Sequence, residues 1–324
     1  MAASKQLKRG EPITADSAIS VSGLRKSYGS LEAVRGVDLE VTEGEVFALL
    51  GPNGAGKTTI VEILEGYRDR DSGEVQVLGH DPQNDDSDLK SRIGIVLQST
   101  GMDPYLTVAE TLSLFGGYYP NPRSPEEIME LVGLTDKADV RVTKLSGGQQ
   151  RRLDVGVGLA GDPDLLFLDE PTTGFDPGAR RSAWDMIKAL AATGKTIFLT
   201  THFMDEAQYL ADRVAIIAQG VIIAEGPPET LAGRDLGATV IRFKLSDKTT
   251  LPAPVLATAT EAGEFLEFST SNPVYFLHEL TGWALAHGLS LEGLEVNRPS
   301  LEDIYLQLTQ PEEATAAEEI EEAS

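Results

Sequence analysis

The chain has 324 residues, enough for about two domains, and a formal net charge of −24 at pH 7. This acidic balance argues against nucleic acid as a partner, and the absence of cysteine excludes disulfides, thiolate metal sites and a cysteine nucleophile. No window approaches the roughly 20 apolar residues that span a bilayer, so we expect any membrane spans to belong to another chain.

The apolar pattern predicts an α/β fold. Strands alternating with helices indicate a mostly parallel sheet covered on both faces. Short apolar runs predict strands at 44–51, 92–98, 164–170, 195–201 and 213–220. Helical patterns lie between several of them, at 57–66 and 179–193.

The composition changes along the chain and indicates separate regions. We expect a main domain over 19–236 that contains a helical insertion at about 99–151, then a small α+β domain over 237–310. The small domain has predicted strands at 238–245, 264–270 and 289–296, and predicted helices at 273–287 and 300–309. The ends, 1–18 and 311–324, are predicted to be disordered tails, and the second carries six Glu and no basic residue.

The stretch "GPNGAGKTT" (51–59) matches the phosphate-binding pattern G-x-x-x-x-G-K-[ST], and it follows a predicted strand and opens a predicted helix. Glycines let consecutive N–H groups point inward at phosphate oxygens, and the helix adds its unpaired N–H groups. Lys57 would add a charge near the β- and γ-phosphates, and Thr58 a hydroxyl for Mg²⁺. The residues predicted to contact the nucleotide here are Gly51, Asn53, Gly54, Ala55, Gly56, Lys57, Thr58 and Thr59.

Two acids, Asp169 and Glu170, follow the apolar strand "LLFL". Carboxylates at the end of a buried strand are costly unless a cation or substrate compensates them. We expect Asp169 to contact Mg²⁺ through water and Glu170 to polarise an attacking water. Together with the phosphate loop, the pair predicts a nucleoside-triphosphate hydrolase that uses Mg²⁺.

The stretch "LSGGQQRR" (145–152) lies between these two motifs, and this order resembles the ATP-binding-cassette (ABC) ATPases, whose signature is LSGGQ. Other family positions are filled in order by Tyr28, Gln98, "PTTGFDP" (171–177) and His202. Each is ambiguous alone: Tyr28 could be a half-buried aromatic, Gln98 a polar residue ending a strand, and His202 an exposed loop residue. Their order supports the functional interpretation over residues 19–230.

The resemblance implies ATP and Mg²⁺ as ligands. It implies that Tyr28 stacks on adenine, that Gln98 joins Thr58 and Asp169 near the metal, and that His202 holds the water and Glu170 in line. It assigns catalytic roles to Glu170, His202, Lys57 and Gln98.

The signature is expected to act on a partner's ATP, so that a working site needs a dimer, with a homodimer favoured. The residues expected at that interface are Ser146, Gly147, Gly148, Gln149 and Asp176. We expect a helix to start after Gly148, with Arg151 and Arg152 contacting acids or the domain surface. Phe175 stands where many relatives have Leu, which predicts altered packing there.

The segment "VNRPSLEDIYLQLT" (296–309) resembles the end of bacterial drug and antibiotic exporter ATPases of the daunorubicin-resistance type. From the residues alone, it predicts a helix capped by Ser300, with Leu301, Ile304, Tyr305 and Leu308 on one apolar face. We therefore expect the ATPase subunit of an export pump for a drug, antibiotic, lipid or polysaccharide, on the cytoplasmic face of the cell membrane and bound to a separate permease chain. An importer subunit and a non-transport ABC ATPase remain alternatives, and the role of 237–310 is open.

Overall fold

The computed structural model describes residues 17–84, 86–96, 101–231, 239–245, 259–262, 264–297, 301–303 and 305. The chain divides into two compact units, Met1–Glu225 and Gly226–Ser324, earlier than the boundary expected at 236. The first strand begins at Ser17, inside the segment expected to be a disordered tail. The expected tail over 311–324 lies outside the described residues.

Strands and helices alternate through the first unit. Its strands are β1 (Ser17–Tyr28), β2 (Leu31–Thr42), β3 (Val46–Leu50), β4 (Ser72–Val77), β5 (Ile93–Val96), β6 (Leu165–Asp169), β7 (Thr196–Thr201), β8 (Arg213–Ala218) and β9 (Val221–Gly226). Its helices are α1 (Lys57–Leu64), α2 (Ser87–Arg92), α3 (Val108–Gly116), α4 (Pro125–Leu131), α5 (Gly147–Gly158), α6 (Pro177–Ala191) and α7 (Met204–Leu210).

The central sheet has the strand order β5-β6-β7-β3-β8-β9, and the five strands from β5 to β8 in this order pair in parallel. Its strands are almost continuously apolar and buried, because helices cover a parallel sheet on both faces. Three phenylalanine rings pack β3, β6 and β7 together: Phe47 and Phe198 stack with centroids 5.6 Å apart, and Phe167 lies tilted against Phe198 with centroids 5.7 Å apart. The carboxyl ends of these three neighbouring strands therefore meet at one edge, which is where the predicted motifs begin.

A second, antiparallel sheet of order β2-β1-β4 belongs to the same unit and was missed by the sequence analysis. Buried and exposed residues alternate irregularly along β1 and β2. Strands were predicted from continuous apolar runs, and neither strand contains one. A turn at Gly29, with φ +62°, connects these two strands. The sheet brings Tyr28, the last residue of β1, towards α1.

The expected helical insertion contains α3, α4 and the start of α5. Local capping explains its boundaries: Thr107 and Glu110 form a reciprocal capping box on α3, and Ser124 caps α4, which begins with a proline. Helix α5 runs past the expected limit at 151 to Gly158 and contacts β5. It thus connects the helical region to the central sheet.

The second unit has an antiparallel sheet of order β11-β12-β10-β13, covered on one face by helix α8 (Pro273–Ala286). Its strands are β10 (Thr239–Lys244), β11 (Thr260–Ala262), β12 (Phe265–Thr270) and β13 (Glu292–Asn297). Stacked Phe243 and Phe268 lie in its core, with centroids 5.5 Å apart. The α/β core with a small α+β C-terminal unit confirms the predicted fold class.

Only part of the predicted terminal helix can be described. Leu301 is buried and Tyr305 half-buried, both with helical backbone, whereas Ser300, Ile304 and Leu308 lie outside the described residues. Among the helices of the described segments, none is long and apolar enough to cross a bilayer.

Candidate nucleotide site

The phosphate loop follows β3 and ends where α1 begins. Gly56 caps α1 in the left-handed region, at φ +107°, and a Cβ there would lie 2.5 Å from the carbonyl oxygen of Ala33. A Cβ on Gly51 would lie 2.4 Å from the carbonyl oxygen of Ile217. Glycine is required at both positions because backbone from other strands passes directly beside the loop. Ala55 is buried, while Asn53 and Gly54 are exposed.

Lys57, the first residue of α1, is 5% exposed and points back into the loop. Its Nζ donates to the carbonyl oxygens of Gly51, at 2.8 Å, and Pro52, at 3.2 Å, and lies 3.4 Å from Oε1 of Glu170. The ammonium group therefore stands between the loop and the second acid of the strand-end pair. Thr58 follows with an exposed side chain.

Asp169 is the last residue of β6, and its carboxylate accepts a hydrogen bond from the hydroxyl of Thr200 on β7. Glu170 follows with φ +45°, a left-handed conformation that is costly for a residue with a side chain. Its N–H donates to the carbonyl oxygen of Thr200 at 3.2 Å, and the Thr173 hydroxyl donates to its Oε2 at 3.1 Å. Hydrogen bonds thus hold both acids in place.

His202, immediately after β7, faces Glu170. Its Nδ1 lies 3.3 Å from Oε1 of the carboxylate. This nitrogen is buried, and within the described residues it makes no hydrogen bond of good geometry. Burial opposes ionisation of Glu170, but the approach of His202, Lys57 and the Thr173 hydroxyl outweighs it and lowers the pKa of the carboxyl below its usual value. Glu170 is therefore ionised at neutral pH, as a group that polarises water requires.

Tyr28 lies beside this loop. Its hydroxyl is 3.5 Å from Oγ1 of Thr59, and the guanidinium of Arg68 lies 5.2 Å from the ring centroid. The ring is 40% exposed, which leaves apolar area available for stacking.

The structure brings half of the predicted site residues to one cleft of about 480 Å³. Those lining it are Tyr28, Asn53, Gly54, Gly56, Lys57, Thr58, Thr59, Asp169 and Glu170. Gln98 lies outside the described residues, so its predicted roles in catalysis and metal binding stay predictions.

The signature residues lie around a different cavity, of about 250 Å³, whose lining includes Ser146, Gly148, Gln149 and Phe175. Helix α5 begins at Gly147, not after Gly148 as expected. The serine is its N-cap and forms a capping box with Gln149, so both glycines belong to the first helical turn. Their N–H groups are among those that a helix leaves without an intrahelical partner.

Arg151 and Asp176 have structural contacts. The Arg151 guanidinium, 7% exposed, donates to the carbonyl oxygens of Asp169, at 3.2 Å, and Pro171, at 3.1 Å. It also lies 3.7 Å from Asp154, consistent with the expectation that it contacts a neighbouring acid. Asp176 caps α6 by accepting from the N–H of Ala179.

Sequence reasoning missed three buried polar side chains near the acids. Thr200 contacts Asp169 and Glu170. Glu206, on α7, accepts from the Thr172 hydroxyl at 2.7 Å and from the indole N–H of Trp184 at 2.9 Å. Glu65, which follows α1, has a buried Oε1 that meets no hydrogen-bond partner among the residues that the structure describes. A polar residue within an apolar run is the only sequence signal for Thr200, and it does not identify the partner.

The oxygen atoms that the cleft offers as ligands suit Mg²⁺. The Thr58 hydroxyl and the Asp169 carboxylate both line it, and oxygen ligands that leave room for water and phosphates suit this ion. Across the described segments, no group of three or more His, Cys, Asp or Glu could hold a metal by itself. Phosphate oxygens and water would complete the coordination.

A glycine-rich phosphate loop, a strand-end acid pair and a facing histidine on a parallel sheet define a P-loop nucleotide hydrolase. A family model described as "ABC transporter" matches residues 34–173, and one described as "ABC transporter domain-containing protein-like, C-terminal domain" matches 239–300.

Proteins named "Nod factor export ATP-binding protein I" are similar over both units. The protein from Rhizobium sp. (strain N33) is 42% identical over 301 residues, covering 90% of this chain and 97% of its own length. The protein from Ralstonia nicotianae is 40% identical over 302 residues, covering 90% of this chain and 93% of its own length. The chain belongs to the ATP-binding subunits of ABC transporters and is an ABC-type ATPase.

Solved structures agree. The ADP conformation of an ATP-binding cassette of an ABC transporter matches with a TM-score of 0.60 and 27% identity, over 66% of this chain and 92% of its own. A dimeric bacterial ABC transporter cassette matches with a TM-score of 0.57 and 26% identity, over 64% of this chain and 98% of its own.

Proposed function

We propose that the chain is the ATP-hydrolysing subunit of an export pump. The observation that carries this proposal is similarity to proteins named for Nod factor export over 90% of the chain, including the C-terminal unit. The drug-exporter resemblance rests on 296–309 alone. After β13 ends at 297, most residues of this segment lie outside the described part of the chain. Export of a Nod-factor-type cargo is therefore the finer proposal, and drug export is the less supported one.

In this proposal the cleft holds one ATP with Mg²⁺. Lys57 and the loop amides bind the phosphates, Tyr28 stacks on adenine, and Thr58, Asp169 and Gln98 hold the metal, which neutralises phosphate charge. Glu170, ionised beside His202, takes a proton from the attacking water.

The active form is a dimer of two such subunits, with homodimer the proposed arrangement. The amides of Gly147 and Gly148, at the exposed start of α5, reach the γ-phosphate held by the other copy. Gly148 lines a cavity separate from the cleft at this chain's own phosphate loop, and this separation motivates the proposal. The dimeric cassette among the similar structures supports it.

A Glu170→Gln variant tests the nucleotide site and the dimer together. It should bind ATP, hydrolyse it at least about a hundredfold more slowly, and elute as a dimer with Mg-ATP in size-exclusion chromatography. Wild type should dimerise only transiently. A Glu170→Gln protein that stays monomeric at saturating Mg-ATP would contradict the shared site.

A separate permease chain on the membrane would receive the energy, with this subunit on its cytoplasmic face. Affinity purification from detergent-solubilised membranes should recover a multi-spanning protein together with this chain. An ATPase that is fully active alone and recovers no membrane protein would favour a non-transport role.

A further inference from the structure

We propose that Thr200 is a positioning residue that fixes the orientation of both acidic residues at the nucleotide site. The inference rests on the proposed roles of Asp169 and Glu170. It concerns a strand residue that neither touches nor lines the cleft and that matches none of the motifs.

Thr200 pairs with Asp169 across β7 and β6, and its side chain is fully buried. Its hydroxyl donates to Oδ1 of Asp169, and Oγ1 lies 3.1 Å from the backbone N of Glu170, from which it accepts. The Thr200 carbonyl oxygen also accepts from this N–H, at 3.2 Å. A single residue thus contacts the carboxylate of one acid and the backbone of the next.

The hydroxyl has one proton, and the geometry commits it to Asp169. The hydrogen bond to Oδ1 restricts rotation of the Asp169 carboxylate. The other oxygen, Oδ2, is not bonded to Thr200 and is the one we propose faces the metal. Partners that orient a metal-binding carboxylate in this way usually change metal affinity 10- to 100-fold when removed.

The second contact supports Glu170, whose backbone is in the left-handed region at φ +45°. Such a conformation persists only where surrounding contacts impose it. The Thr200 carbonyl would remain in any variant, so loss of the hydroxyl acts mainly on Asp169 and weakens the hold on Glu170.

The competing interpretation is that Thr200 is only a β-branched residue filling a buried strand position. Valine has the same shape and would serve equally well in that case. The variants Thr200→Ser and Thr200→Ala form a matched pair, because both lack the γ-methyl group and differ only in the hydroxyl. Thr111→Val is the control, since this fully buried hydroxyl donates to the Thr107 carbonyl oxygen within the helical region.

The experiment measures two quantities on the full chain for each variant. Electron paramagnetic resonance of Mn²⁺ titrated into protein with an equimolar non-hydrolysable ATP analogue, referenced to the analogue alone, gives the metal affinity of the site. Steady-state assays in Mg²⁺ give kcat and KM. We expect Thr200→Val and Thr200→Ala to bind Mn²⁺ about tenfold more weakly and to lose kcat with little change in the KM for ATP. Thr200→Ser and Thr111→Val should match wild type.

Equal Mn²⁺ affinity and kcat in Thr200→Ala and Thr200→Ser would overturn the inference, even if Thr200→Val failed to fold. Loss in Thr200→Ser as large as in Thr200→Ala would also overturn it, since the methyl group would then be the cause. A wild-type chain without Mg²⁺-dependent hydrolysis would instead refute the proposed function.

Discussion

Replacing Glu65 by glutamine should stabilise the first unit at neutral pH. Glu65 is 5% exposed, and within the described part of the chain its Oε1 has no hydrogen-bond partner. Burial, reinforced by the charges of Asp169 and Glu62, raises its pKa to about 8. The folded protein therefore retains a proton that the unfolded chain releases near pH 4.5.

The sign follows from this difference in bound protons. Between pH 4.5 and 8 the folded state holds more protons than the unfolded state, so the free energy of unfolding falls as the pH rises. At 1.36 kcal/mol per pKa unit, the cost accumulated by pH 7 is about 3 kcal/mol. Glu65→Gln removes this ionisation. The free energy of unfolding of the variant should exceed that of wild type by about this amount at pH 7 and equal it near pH 4.5.

Urea unfolding from pH 4.5 to 8 measures the effect. The chain has two tryptophans, so a Trp283→Phe background leaves Trp184 as the fluorescent reporter of the first unit. The control is Glu62→Gln, which removes one of the charges that raise the Glu65 pKa but leaves the burial of Glu65, the main cause, in place. The free energy of unfolding of this variant should therefore still fall with pH, with only a small reduction in slope. A wild-type stability that stays level over this range, or a Glu65→Gln curve that still falls with pH, would refute the reasoning.

Three further changes have outcomes that the local geometry predicts. Gly56→Ala should abolish ATP binding in a fluorescent-nucleotide assay, because its Cβ meets the Ala33 carbonyl oxygen at 2.5 Å and its φ is positive. Ser146→Ala removes the cap of α5 and should lower the free energy of unfolding in urea by about 1 kcal/mol. Glu206→Ala leaves two buried donors without their acceptor, which should cost about 3 kcal/mol and shift the fluorescence of Trp184; unchanged stability would argue against that network.

The phosphate loop could be read from the sequence because its function is local. Consecutive amides, three glycines and a lysine supply the binding groups within nine residues, and the flanking apolar strand confirms the context. The start of α5 was misplaced because two glycines suggested a loop, whereas the capping box of Ser146 and Gln149 overrides the low helix propensity of glycine. The antiparallel sheet was missed because its strands are not continuously apolar.

The contacts that hold the acids could not be predicted, because they depend on strand register and on segments distant in sequence. Arg151 shows the physical reason. A buried guanidinium must satisfy its donors, and the sequence offers acids at several nearby positions. Besides Asp154, the fold directs it to two backbone carbonyls, those of Asp169 and Pro171, which carry no sequence signal. The helix that begins with the signature glycines is thereby hydrogen-bonded to the backbone on either side of Glu170.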